Sequence, residues 1–301
     1  MTVSEAQARD RRFAMIAVGI AALVILAASI LTMVSTTSPI VRYSGDKVFA
    51  DVEQTPDTIR ISTRRDTYTL EKTETGWILT EHGRFPVNDQ KMQHMLEVIA
   101  NARFTDARTL RPELHDDLGL GNPFEEGSGA LITLPGQEIT GALIGVKGGQ
   151  TFGRKAGDNQ TWRVSQSFPA LHEPSWWLDP NDIGIPRTEE IQSVEIRTPS
   201  DELSLKIAAD SADFTDADAI LLEASTALHL LDVRSTDDVE TSPFATHLVL
   251  YRSGKSLRLD LYEVGTGIWA EISGDALAEP DLAEERLFHI DPLIASDLLP
   301  Y

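Results

Sequence analysis

The chain reads as an α+β protein built from two tandem repeats, each a mainly antiparallel sheet with one packed helix, after an N-terminal transmembrane helix. Three observations predict this. Residues 13–34 form an unbroken apolar run, paired segments alternate apolar and polar residues at strand spacing, and the same strand, helix, strand order returns in the second half.

The apolar run, FAMIAVGIAALVILAASILTMV, has no charge, Asn, Gln or Pro. As a helix it would be about 33 Å long, enough for a hydrocarbon core of roughly 30 Å. A soluble core helix is rarely apolar on every face. Arg9, Arg11 and Arg12 precede it, so the positive-inside bias puts residues 1–12 in the cytoplasm and everything after Pro39 outside. A signal peptide would have an apolar stretch of roughly 7–15 residues ending in a small-x-small site. The best such site, Ala27-Ala28-Ser29, lies inside the run, which favours an uncleaved single-pass anchor.

Residues 35–57 read as a tether and the start of the first repeat, which continues over 58–174. TIRIS (58–62) and TYTLEK (67–72) alternate around a Thr-Arg-Arg-Asp turn, predicting a hairpin, and Gly76 to Leu79 continues it as a third strand. Asn88 or Asp89 caps a helix with Met92, Met95, Leu96 and Ile99 on one stripe. ALITL (130–134), ALIGV (142–146) and TWRV (161–164) read as strands.

The second repeat, 191–275, follows the same order. SVEIRT (193–198) and ELSLKI (202–207) predict a hairpin, Thr215 with Asp218 a capping box, and Leu221, Ala224, Leu228 and Leu231 a helical stripe. HLVLY (247–251) and LRLDLY (257–262) complete the copy. Wording recurs too: Met95-Leu96-Glu97 as Leu221-Leu222-Glu223, Phe104-Thr105-Asp106 as Leu230-Leu231-Asp232, and Pro123-Phe124 as Pro243-Phe244. Between the copies SWWLDPNDIGIP begins a linker at 175–190, and residues 276–301 read as an acidic C-terminal tail. Trp176 and Trp177 either wedge the copies together or offer a stacking platform to a sugar or peptide.

Composition closes several routes. A formal charge of -21 argues against a nucleic-acid partner, and the absence of cysteine excludes disulfides, thiolate metal sites and a thiol nucleophile. GVKGGQTFGRKAG (145–157) is glycine-rich but lacks Gly-Lys-Ser/Thr and runs into a strand, so no nucleotide is expected. A shift of 117 residues lays Gly148 on Gly265, Phe152 on Trp269 and Gly157 on Gly274, which predicts matched hairpin turns. Lys147, Arg154 and Lys155 make the stretch one of the few basic spots, a candidate partner contact. The acids Asp210, Asp213, Asp216, Asp218 and Glu223 lack the central glycine of a calcium loop and suit a helix N-terminus. The histidines form no close pair, so neither a metal nor another cofactor is expected.

The duplicated unit, the stretch Asp117-Leu118-Gly119-Leu120-Gly121-Asn122-Pro123 and the Trp-Leu-Asp at 177–179 resemble the bacterial family called domain of unknown function 4340. The resemblance covers roughly residues 45–275. It implies a non-catalytic accessory protein in the bacterial inner membrane with its C-terminal domain in the periplasm. Its implied partners are the permease or auxiliary subunits of a gliding-type ABC exporter, or the exporter's cargo. It transfers no catalytic residue. Leu118 stands where an aromatic commonly precedes Gly-Leu, and the pattern leaves the acidic tail unexplained. The alternative expectation is an envelope hydrolase acting on glycan or peptide, with carboxylates brought together between the copies.

Overall fold

The computed structural model describes residues 44–49, 55–135, 141–186 and 191–298; the apolar run at 13–34 lies outside them. Among the described residues no helix is long and apolar enough to cross a membrane.

The body consists of two antiparallel sheets with few helices. In the first half, β1 (Thr58–Ser62), β2 (Thr67–Lys72), β3 (Trp77–Leu79) and β4 (Phe85–Pro86) precede helix α1 (Asp89–Asn101). Strands β5 (Phe104–Ala107), β6 (Ala130–Thr133), β7 (Gly141–Lys147), β8 (Gln150–Lys155) and β9 (Trp162–Val164) follow. The second half holds β10 (Ile191–Arg197), β11 (Leu203–Ala208), α2 (Asp216–Ala224), β12 (Leu230–Ser235), β13 (Ala245–Tyr251), β14 (Ser256–Val264), β15 (Gly267–Ser273), β16 (Arg286–Ile290) and α3 (Pro292–Leu298).

The nine-stranded sheet runs β4-β3-β2-β1-β6-β7-β8-β9-β5, and the seven-stranded sheet β11-β10-β13-β14-β15-β16-β12. Without β3 and β4, the first order maps onto the second strand for strand. The register agrees as well: Gly145 faces Phe152 across β7 and β8, while Tyr262 faces Trp269 across β14 and β15. Both pairs differ by the 117 residues read from the sequence.

Local chemistry explains most boundaries. Asn88 caps α1 by accepting the Lys91 amide at 3.0 Å, and Thr215 and Asp218 close the expected capping box on α2. Two expectations shift. The buried stripe of α1 is Met92, Met95, Val98 and Ile99, with Leu96 only partly buried. Helix α2 stops at Ala224, where the Ser225 hydroxyl turns back to the Leu221 carbonyl at 2.8 Å. Leu228 therefore lies beyond the helix, and Leu231 sits in β12.

The stretch expected as an acidic tail also differs. Within it β16 pairs with both β15 and β12, and α3 buries Ala295 and Leu298. Leu287, Phe288 and Ile290 drive this burial and were masked in sequence by the preceding acids.

One large core runs through both sheets and the segment joining them. On β13, His247 is completely buried and neither ring nitrogen reaches a partner with hydrogen-bond geometry. Burial pushes its pKa down to about 4 from 6.5, a shift the nearby Leu298 backbone only partly offsets. The unfolded chain thus takes up a proton that the native chain refuses. Stability is full above the unfolded value and falls as pH drops toward about 4, by about 3 kcal/mol in all. Urea unfolding at pH 7 and pH 4.5 should show His247→Leu losing most of this acid sensitivity.

Candidate functional site

The segment linking the sheets is a built joint. Trp177 is fully buried and donates its indole N–H to the Tyr68 hydroxyl at 3.1 Å, and that hydroxyl donates to the Leu171 carbonyl at 2.9 Å. Burial raises the Tyr68 pKa well above the usual phenol range, so it stays a neutral donor. Trp176 packs edge-on against Trp177 at 5.1 Å, half-buried, with the Lys91 ammonium 5.3 Å from its ring centre. Lys91 also binds Asp179 at 3.1 Å, and the Asn88 amide donates to the same carboxylate. Trp177 has no exposed face to stack on a ligand, and its polar contacts to Tyr68 and Asn88 lie in the first half.

Other contacts cross between the sheets. Arg286 of β16 donates to the Gly83 carbonyl at 2.7 Å, and Phe85 meets Phe288 edge-on at 6.1 Å. His82 Nδ1 lies 2.7 Å from Asp232. Burial alone would lower the His82 pKa, but the Asp232 carboxylate outweighs it and the net shift is upward. Beside this contact a groove of about 600 Å³ is lined by Glu81, Asp237, Asp238, Glu284 and Glu285, with Arg84 and Arg286.

A cleft of about 450 Å³ opens in the first half, between a glycine loop and residues 168–173. The loop, 112–129, lies across the outer face of β7 and β8, where Leu120 packs on Leu143 and Phe152. It can lie there because β7 carries Gly145: a Cβ at that position would sit 2.1 Å from the Gly119 carbonyl oxygen. Gly119 itself is left-handed, φ 72°. Arg154 clamps the arrangement, donating to the Leu120 carbonyl at 3.3 Å and the Asp158 carbonyl at 3.0 Å.

Asp116, Lys147, His172 and Glu173 line the cleft. The Ser128 hydroxyl and amide, at 2.6 and 2.8 Å, hold the Asp116 carboxyl below its usual range, helped by Arg64 and Lys147. Burial and the Arg65 charge hold His172 below its ordinary value, so the ring is neutral near pH 7. The cleft therefore offers a fixed anion, an ammonium and a neutral imidazole to a polar ligand.

The candidate basic residues separate. Lys147 is exposed at the rim of this cleft, Arg154 is spent on the loop, and Lys155 closes β8 beside it, partly buried. The glycines at 148 and 149 form the two-residue turn between β7 and β8, with φ 57° and 72°. Gly265 opens the matching turn between β14 and β15. Among the described residues no group of three or more His, Asp or Glu side chains is placed to hold a metal ion. The acids of 210–218 surround the start of α2, where Asp218 is tied to the Thr215 amide and hydroxyl.

Sequence reasoning missed Asp116, Ser128 and His172 as neighbours, since only the fold of the glycine loop brings them to one cleft. The density of glycine between 119 and 129 was the available signal. In comparisons with known proteins, no family model, curated protein or solved structure matches the chain.

Proposed function

We propose that the chain is a membrane-anchored, non-catalytic periplasmic accessory protein. Its two tandem repeats form a binding body for an ABC-type export system or for the cargo of that system, as the resemblance to the domain of unknown function 4340 implies. The common strand order and register of the two sheets support the duplication. The apolar run at 13–34, with arginines on its leading side, supports the anchor and its orientation.

The observation that carries binding over catalysis is how three of the perturbed polar groups are spent. Tyr68, His82 and Arg154 each commit their polar atoms to structural partners, as Trp177 commits its indole nitrogen. The cleft at Asp116 and Lys147 is left to receive a polar segment of a partner. One observation favours the envelope hydrolase as a second reading, namely the carboxylate-lined groove between the sheets. Gene neighbourhood separates the two: adjacent permease and ATPase genes favour the accessory, a cell-wall operon the hydrolase. An alkaline-phosphatase fusion after Tyr301 should be active in the periplasm, and an inactive, stably expressed fusion would overturn the orientation.

A further inference from the structure

The two sheets share a strand order but end differently. In the first, the outer edge of β2 is filled by β3 in antiparallel register, Leu70 opposite Leu79 and Lys72 opposite Trp77. Its counterpart β11 is the edge of the second sheet, and no described strand pairs with its outer side. The Ala209 amide bonds to the Gln192 carbonyl, so in the alternating antiparallel ladder Leu205 and Ile207 bond inward to β10. Lys206 and Ala208 consequently turn their backbone N–H and C=O groups outward.

Leu203 and Leu205 on this strand stay 56% and 40% exposed. Exposed acids bracket it, Glu202 at one end and Asp210 and Asp213 beyond the other. The one cation on the strand, Lys206, is paired at 2.7 Å with Glu195, which also pairs with Arg197. An open, partly apolar edge is a template for an added strand.

We propose that the outer edge of β11 accepts an extended segment of a partner protein as an antiparallel strand, with apolar residues at the segment's centre and Lys or Arg at both ends. The apolar centre is what β3 supplies to β2 in the other half, and the basic ends match the bracketing acids. A second copy of this chain fits poorly, because it would set Glu202, Asp210 and Asp213 against like charges on a protein of net charge -21. The proposal rests on the binding-protein reading and names the partner chemistry of one surface.

The probe is a fluorescent synthetic peptide, KKGWILTKK, which carries the core of β3 between lysines, titrated into the detergent-solubilised full chain. Saturable binding is expected, with slowed hydrogen exchange confined to 203–208. Affinity should fall at least tenfold for the charge-reversed peptide EEGWILTEE, for the double variant L203K/L205K, and for Lys206→Pro, which removes one outward N–H. Unchanged exchange outside 203–208 shows that each variant is folded. Absence of binding, binding without protection at 203–208, or equal affinity in folded variants overturns the proposal. Protection of 203–208 that rises with protein concentration and needs no peptide also overturns it, in favour of a second copy. Its failure is distinguishable from failure of the function: co-purification of exporter subunits unaffected by L203K/L205K refutes only the edge.

Discussion

Trp177→Ala is expected to cost about 3–5 kcal/mol, the range for emptying a large aromatic site in a core. The side chain is fully buried at the point where the joining segment meets the first sheet, and its indole N–H anchors the Tyr68 hydroxyl. The backbone of the same residue receives the Asn88 amide at 2.9 Å, so the cap of α1 rests on the joint as well. Urea unfolding followed by far-UV circular dichroism measures the loss. Tyr68→Phe is the milder companion. It leaves the Leu171 carbonyl and the indole N–H without their partner, a cost of about 1–3 kcal/mol. A Trp177→Ala protein within about 1 kcal/mol of the parent, well under the usual core cost, would mean that the joint does not hold the body together.

Gly145→Ala is the second large effect. The added methyl would meet the Gly119 carbonyl oxygen at 2.1 Å, and that oxygen is backbone and cannot swing aside. Overpacking of this kind costs about 1–3 kcal/mol, occasionally more. It should also lift the 112–129 loop, exposing it to protease and opening the cleft at Asp116. Gly148→Ala is the contrast: nothing lies within 4 Å, and only its φ of 57° opposes a side chain, worth about 1–2 kcal/mol. It should leave the loop protected. If both variants nick equally in the loop, the contact between Gly119 and Gly145 is not what seats it.

What could be read from sequence was whatever depends on neighbours along the chain. The alternating strands, the Asn88 cap and the Thr215–Asp218 box all depend on residues within a few positions of each other. Hairpin register is local too, and Gly148 and Gly265 each fall in the turn of a hairpin. Failures came where distance or competition ruled. Val98 displaced Leu96 from the stripe because the core above α1, not the helix, chooses which face is covered. Helix α2 ended at Ala224, where the Ser225 amide and hydroxyl both bond to the Leu221 carbonyl. Strand β16 was hidden because its apolar residues follow a run of acids, and its partners β12 and β15 lie elsewhere in the chain. The candidate cleft was the least legible part. Asp116, Ser128, Lys147 and His172 meet only because Gly145 lets a loop lie flat on the sheet.

The most direct measurement of the account is crosslinked co-purification from native membranes through a tag after Tyr301, with the captured proteins identified by mass spectrometry. The proposed function predicts recovery of ABC exporter permease or auxiliary subunits, reproducibly and dependent on the crosslinker. Replicate captures that contain the tagged chain but no exporter subunit would contradict it.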